Sequence, residues 1–224
     1  MPATRITSDL ITGGNAFTFF TQGEAVIVET GATLASDGAK AIDGNGVSDA
    51  VVQIFGSVQG YGTAVYMNGA AAQVHVAASG SIIAVRDNGA DCVWLAGSGM
   101  LDNAGQVISP FGFAVSTNGG GGLVRNSGLI DGGGGGVVLY GEADTLINTG
   151  TIRTGLVSSS VQHGVSVLAT DCVIVNDGRI EAVRLGAAGI SVQDNYQLFE
   201  EGGNRASIEN SGSVVAERHW AVDL

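Results

Sequence analysis

The chain has 224 residues, of which 37 are Gly and 2 are Pro; 45% are apolar and 13% charged. So little charge with so much apolar content excludes an intrinsically disordered chain, and the lack of a Gly-X-Y period with abundant Pro excludes collagen. Nine Lys and Arg against 21 Asp and Glu give a net charge of −12, the wrong sign for binding nucleic acid or an anionic membrane surface.

Taken from its start, the chain opens on residues 1–10, which lack a positively charged region leading into an apolar core. They predict no cleavable secretory signal. A cytosolic chain, export without such a signal, and a fragment of a longer protein all remain open on this reading. Residues 1–28 carry Ile6, Leu10, Ile11, Phe17, Phe19 and Phe20 and are predicted to cap the open end of a stack, because terminal repeats need an atypical cover.

From residue 29 to 224 one element recurs: an apolar stretch, then Asn-x-Gly-x and Ile or Val. It stands at Asn103/Gly105/Val107, Asn126/Gly128/Ile130, Asn148/Gly150/Ile152, Asn176/Gly178/Ile180 and Asn210/Gly212/Val214, with looser copies at Gly31, Gly56 and Gly80. The glycines recur at a period of roughly 24 residues that lengthens towards the end. Each period holds about three strand-length pieces rich in β-branched residues, such as 51–54, 62–67, 73–76, 136–140, 164–167 and 173–175, parted by Gly, Asn, Asp and Ser. Helical spacing of apolar residues is absent. One such turn of chain cannot bury its own apolar side and must stack on its neighbours. The prediction is an all-β, single-stranded parallel β-helix, a solenoid of about eight coils. Gly at the marker suits a corner with φ > 0. Asn103, Asn126, Asn148, Asn176 and Asn210 fall in register, and a structural ladder of hydrogen-bonded carboxamides is expected there.

No run approaches the roughly 18 apolar residues of a membrane span, so a soluble chain without membrane insertion is expected. Cys92 and Cys172 lack metal-ligand spacing and are expected to be buried structural residues. Three His residues, His75, His163 and His219, give little material for acid–base catalysis. No nucleophile elbow, zinc-binding His pair or phosphate loop occurs, and the glycine runs 119–122 and 132–136 open no helix. No catalytic residue, metal ligand or cofactor is therefore assigned. Calcium stays open through Asp43-Gly-Asn-Gly46 and Asp87-Asn-Gly-Ala-Asp91. The longer late periods project loops, one near 154–163 and a second at 194–205. In the second, Tyr196 and Phe199 are expected to stack on a sugar or anchor a partner, with Asp194, Glu200 and Glu201 as acceptors or cation ligands. The final stretch, 219–224, reads as a strand edge open to pairing with another copy.

The Asn-x-Gly-x-[Ile/Val] coils from Gly31 onwards resemble secreted bacterial β-helix repeat proteins, namely autotransporter passengers and the β-helical regions of repeats-in-toxin type exoproteins. The resemblance implies a right-handed helix and a secreted or cell-surface life as an adhesin or structural stalk. The function expected is non-enzymatic adhesion or scaffolding, with a carbohydrate or surface protein as partner. The alternative is a carbohydrate-active β-helix enzyme, a polysaccharide lyase, hydrolase or epimerase. It would need Asp, Arg and aromatic side chains converging from adjacent coils, and Arg125, Arg153, Arg179 and Asp131 are its best candidates.

Overall fold

The computed structural model describes residues 3–86, 90–155, 163–183, 186–193, 205–217 and 220–223. Among them there is no helix, hence none long and apolar enough to cross a membrane. The described residues form short strands that sort into three nine-stranded sheets, each taking every third strand in order. All pairings are parallel. Each coil thus supplies one strand to each sheet, and the next coil lies on it at the parallel-sheet spacing of about 4.8 Å.

Alternation decides what faces inwards. In the first sheet the register runs Val52, Val74, Leu101, Val124, Leu146, Ile174. In the second it runs Val58, Ile82, Val107, Ile130, Ile152, Ile180, and in the third Ile42, Val65, Val93, Val115, Val137, Val165, Ile190. Every one of these side chains is fully buried. Each is worth roughly 1.5–3 kcal/mol of burial, and a slip of one residue in any strand would turn its set outwards.

The marker glycines stand in a column. Gly105, Gly128 and Gly150 lie one above the next, because the amides of Leu129, Thr151 and Arg179 donate in turn to their carbonyls at 2.9, 2.9 and 2.8 Å. The reason for glycine differs from the expected positive φ. Only Gly31 of the markers has one, at 82°. At Gly105, Gly128, Gly150, Gly178 and Gly212 an added Cβ would run into the carbonyl oxygen of the glycine one coil back. Close stacking of coils excludes the side chain there, and backbone dihedrals do not.

From residue 3 onwards the segment 1–28 joins the stack as its first row. Its strands Ala3–Ile6, Leu10–Thr12 and Phe17–Thr18 pair with Ala25–Val28, Thr33–Ser36 and Ile42–Gly44. This first row lacks the Asn–Gly marker, so counting markers leaves it out. Phe17 and Phe19 pack edge to face with centroids 5.0 Å apart, and Phe19 is buried, filling the row. Leu10 and Ile11 stay exposed at its edge.

Candidate functional site

The five marker asparagines point inwards at the corner between the first and second sheets. Asn103 Nδ2 donates to Asn126 Oδ1 at 2.8 Å, Asn126 to Asn148 at 2.8 Å, Asn148 to Asn176 at 2.7 Å and Asn176 to Asn210 at 2.6 Å. Each of the first four Nδ2 groups also donates to a backbone carbonyl of the following coil: Leu129, Thr151, Arg179 and Ser213. The earlier coils carry Ile6, Val28, Ile54 and Val76 in the same column. Asn103, Asn126, Asn148 and Asn176 are buried and form an internal brace out of reach of a ligand, and Asn210, the last rung, is exposed.

The remaining sequence candidates scatter. Asp194, Tyr196, Phe199, Glu200 and Glu201 lie outside the described residues, as do His219, Asp87 and most of the 154–163 loop. His163 is buried, accepts the Ala188 amide on Nδ1 at 2.9 Å and has Nε2 3.1 Å from the Gln193 carboxamide. His75 lies 3.8 Å from the Asp102 carboxylate on the outer face of the first sheet. Both cysteines are buried and unpaired. Asp43 bonds Asn15 at 2.7 Å and Lys40 at 3.1 Å. No group of three or more metal-ligating side chains occurs among the described residues.

Of the four residues suggested for an enzyme, three meet. Asp131, Arg153 and Glu181 are register neighbours on the outer face of the second sheet. Arg153 bonds Asp131 at 2.6 Å, and Arg179 bonds Glu181 at 2.9 Å. The hydrogen bond from Arg179 holds the Glu181 carboxyl below the usual range. Arg125 lies elsewhere, in the outer column of the first sheet beside Asp102. The cluster is two acids matched by two guanidiniums, each already engaged.

A different place gathers groups suited to a ligand: the outer face of the third sheet. Tyr66 and Trp94 are register partners there, with ring centroids 6.4 Å apart and planes 19° from parallel. Tyr140 continues the row at 6.5 Å from Trp94, tilted 34°. Tyr66 and Trp94 are half-buried and Tyr140 exposed. Polar groups edge the row. Lys40 Nζ sits 3.7 Å above the Tyr66 ring, and the Ser116 hydroxyl donates to Asp91 at 2.5 Å. Burial pushes the Asp91 carboxyl above the usual aspartate range, although Ser116 and the Phe113 amide pull it down. The Tyr140 hydroxyl is pushed up as well, by burial and then by the Asp91 charge. Strand register puts Tyr66 and Trp94 in one outward column; the column passes on through Ser116 and Val138, and Tyr140, two residues beyond Val138, joins the row by its ring contact with Trp94.

Sequence reasoning missed this row. Tyr66, Trp94 and Tyr140 are 28 and 46 residues apart, off the glycine period; strand pairing aligns the first two, and packing across two coils brings in the third. Aligning each strand after the corner by its buried Val or Ile would have put Tyr66 and Trp94 in one column.

A shallow notch of about 220 Å³ lies at the corner between the first two sheets, lined by Thr30, Thr33, Phe55, Ser57, Ser79 and Ser81. It exists because residues 55–56 make a two-residue turn between four-residue turns at 29–32 and 77–80. Its hydroxyls partly satisfy one another, Ser81 bonding Ser57 at 3.2 Å and Ser79 the Phe55 carbonyl at 2.9 Å. No family model, curated protein or solved structure matches the chain.

Proposed function

We propose that this chain is a non-enzymatic β-helical module, secreted or carried on a cell surface, that holds a carbohydrate chain on the aromatic face of its third sheet. The row of Tyr66, Trp94 and Tyr140 carries this reading. Aromatic rings offer flat apolar area at low entropic cost, sugar rings have apolar faces to lay on them, and Asp91 and Lys40, both partly exposed, stand beside the row to bond hydroxyls. A stiff stack of parallel strands keeps the rings at fixed spacing, which lowers the cost of ordering a site on binding. Adhesion or scaffolding is the role that such a face on such a rod would serve.

The test is retention of the protein in gels containing a panel of polysaccharides, followed by calorimetry with the best binder. Trp94→Ala is expected to weaken binding about tenfold or more. Wild-type affinity in Trp94→Ala, with loss in a Tyr196→Ala/Phe199→Ala pair, would move the site to the 194–205 loop and reject the aromatic face. New reducing ends or an unsaturated uronate chromophore in the same incubations would overturn the non-enzymatic reading and favour the lyase, hydrolase or epimerase alternative.

A further inference from the structure

The aromatic face already holds one ammonium group. Lys40 Nζ is clamped between the Tyr66 ring, 3.7 Å away, and Asp43 Oδ1, 3.1 Å away. Strand register places Asp91 in the column of Lys40. Lys40, Thr63 and Asp91 each stand two residues ahead of the paired Ile42, Val65 and Val93. Around Asp91 the ingredients of the first clamp recur with the charge reversed: two rings, Trp94 and Tyr140, 6.5 Å apart, and one carboxylate bonded to Ser116. Among the described residues every ion pair joins other groups, and none involves Asp91. Among the described residues, no ion pair supplies this ring-and-carboxylate seat with a cation.

We infer that Trp94, Tyr140 and Asp91 form a subsite for a protonated amine, so that the glycan held on this face is built of amino sugars with free amino groups. The inference rests on the carbohydrate reading above and narrows its substrate class. Three physical arguments carry it. A cation over an aromatic face is attracted by the ring quadrupole, most strongly over indole. A partly desolvated carboxylate gains most from a cation that arrives with its ligand, since the pair is weakly screened. Finally, a chain of net charge −12 repels polyuronates at long range and attracts a polyamine. Burial raises both the Asp91 carboxyl and the Tyr140 hydroxyl, and the Asp91 charge adds to the second.

Calorimetry with three trisaccharides tests it: glucosamine, N-acetylglucosamine and glucose trimers. The solution is mildly acidic, so that the sugar amine is charged, and holds about 0.15 M salt to screen long-range attraction. The unaltered protein is expected to bind the glucosamine trimer about tenfold more tightly than its acetylated counterpart. Asp91→Asn is expected to erase that preference, and Asp102→Asn, a charge removed from another face, to keep it. Equal binding of free and acetylated trimers by the unaltered protein would overturn the amine subsite and leave the carbohydrate reading standing. Binding of none of the three, nor of any polysaccharide in the panel, would remove both. Equal losses in Asp91→Asn and Asp102→Asn would assign the preference to net charge and overturn the subsite as well. The trimer comparison needs no variant, so it decides the matter even if Asp91→Asn fails to fold.

Discussion

Asn103 donates to Asn126 at 2.8 Å, yet its own Oδ1 is buried without a hydrogen-bond partner, because the register neighbour on the preceding coil is Val76. A ladder in which every donor points to the following coil leaves one acceptor unsatisfied wherever it begins. Moving the beginning does not remove that cost; interrupting the middle adds a second. Asn103→Val removes one orphan and creates another at Asn126, and should cost about 1 kcal/mol. Asn148→Val leaves the orphan at Asn103, adds one at Asn176 and takes the acceptor from Asn126, and should cost about 2–3 kcal/mol. Urea unfolding of both variants checks this, and equal costs would show that the rungs act independently.

Glycine in the same corners separates two kinds of constraint. At Gly150 a Cβ would meet the Gly128 carbonyl oxygen, whereas at Gly31 nothing lies within 4 Å and only the φ of 82° opposes a side chain. Gly150→Ala should cost about 3 kcal/mol, since overlap with backbone is not relieved by a rotamer change, and Gly31→Ala only about 1 kcal/mol. The reverse order in thermal or urea unfolding would mean that the coils separate easily at Gly150.

The pH dependence of stability should carry a mark of Asp91. Burial raises its carboxyl in the folded state, so the native protein holds this proton more tightly than the unfolded chain does. The resulting stabilisation is complete below the ordinary aspartate range and is lost as pH rises through the raised folded value. Relative to Asp91→Asn, the unaltered protein should therefore lose stability over that rising interval and stay level above it. Unfolding at a series of pH values measures the difference, and one that grows on acidification in the other direction would contradict the buried placement of Asp91.

Asp144 supports the corner between the third and first sheets. Its fully buried carboxylate accepts from Thr117 Oγ1 at 2.5 Å, the Gly122 amide at 2.7 Å and the Gly141 amide at 2.9 Å. Asp144→Ala strands three donors and should destabilise by about 3 kcal/mol or more. Unfolding within about 1 kcal/mol of the parent would show that water replaces the carboxylate.

The two thiols should be silent in the folded protein. Burial pushes Cys92 up to about 12 and Cys172 up to about 11, and the thiolate is the reactive form. An aromatic disulfide reagent should release nothing from the native protein over the time in which the unfolded chain releases two equivalents. Prompt release of one equivalent from the native protein would show that the corner holding Cys172 opens.

By itself the sequence determined the period, the all-β class, the inward Val, Ile and Leu of each strand, and the alignment of Asn103, Asn126, Asn148, Asn176 and Asn210. These follow from signals a few residues long: alternation along a strand, and an Asn two places before a Gly with no room for an insertion between them. What needed the tertiary structure was everything set by the distance between coils. Stacking, not dihedral freedom, requires glycine at Gly128 and Gly150. The markerless residues 3–18 prove to be a coil because their strands find partners, which no repeat search detects. Tyr66 and Trp94 share a column, and Asp91 comes to occupy the place of Lys40, only after corners of unequal length have been absorbed and backbone hydrogen bonds have fixed the register; Tyr140 joins them by side-chain packing across two coils. A chain records spacing along itself, and corner insertions change that spacing without moving the columns; the contacts that make a site run across the coils.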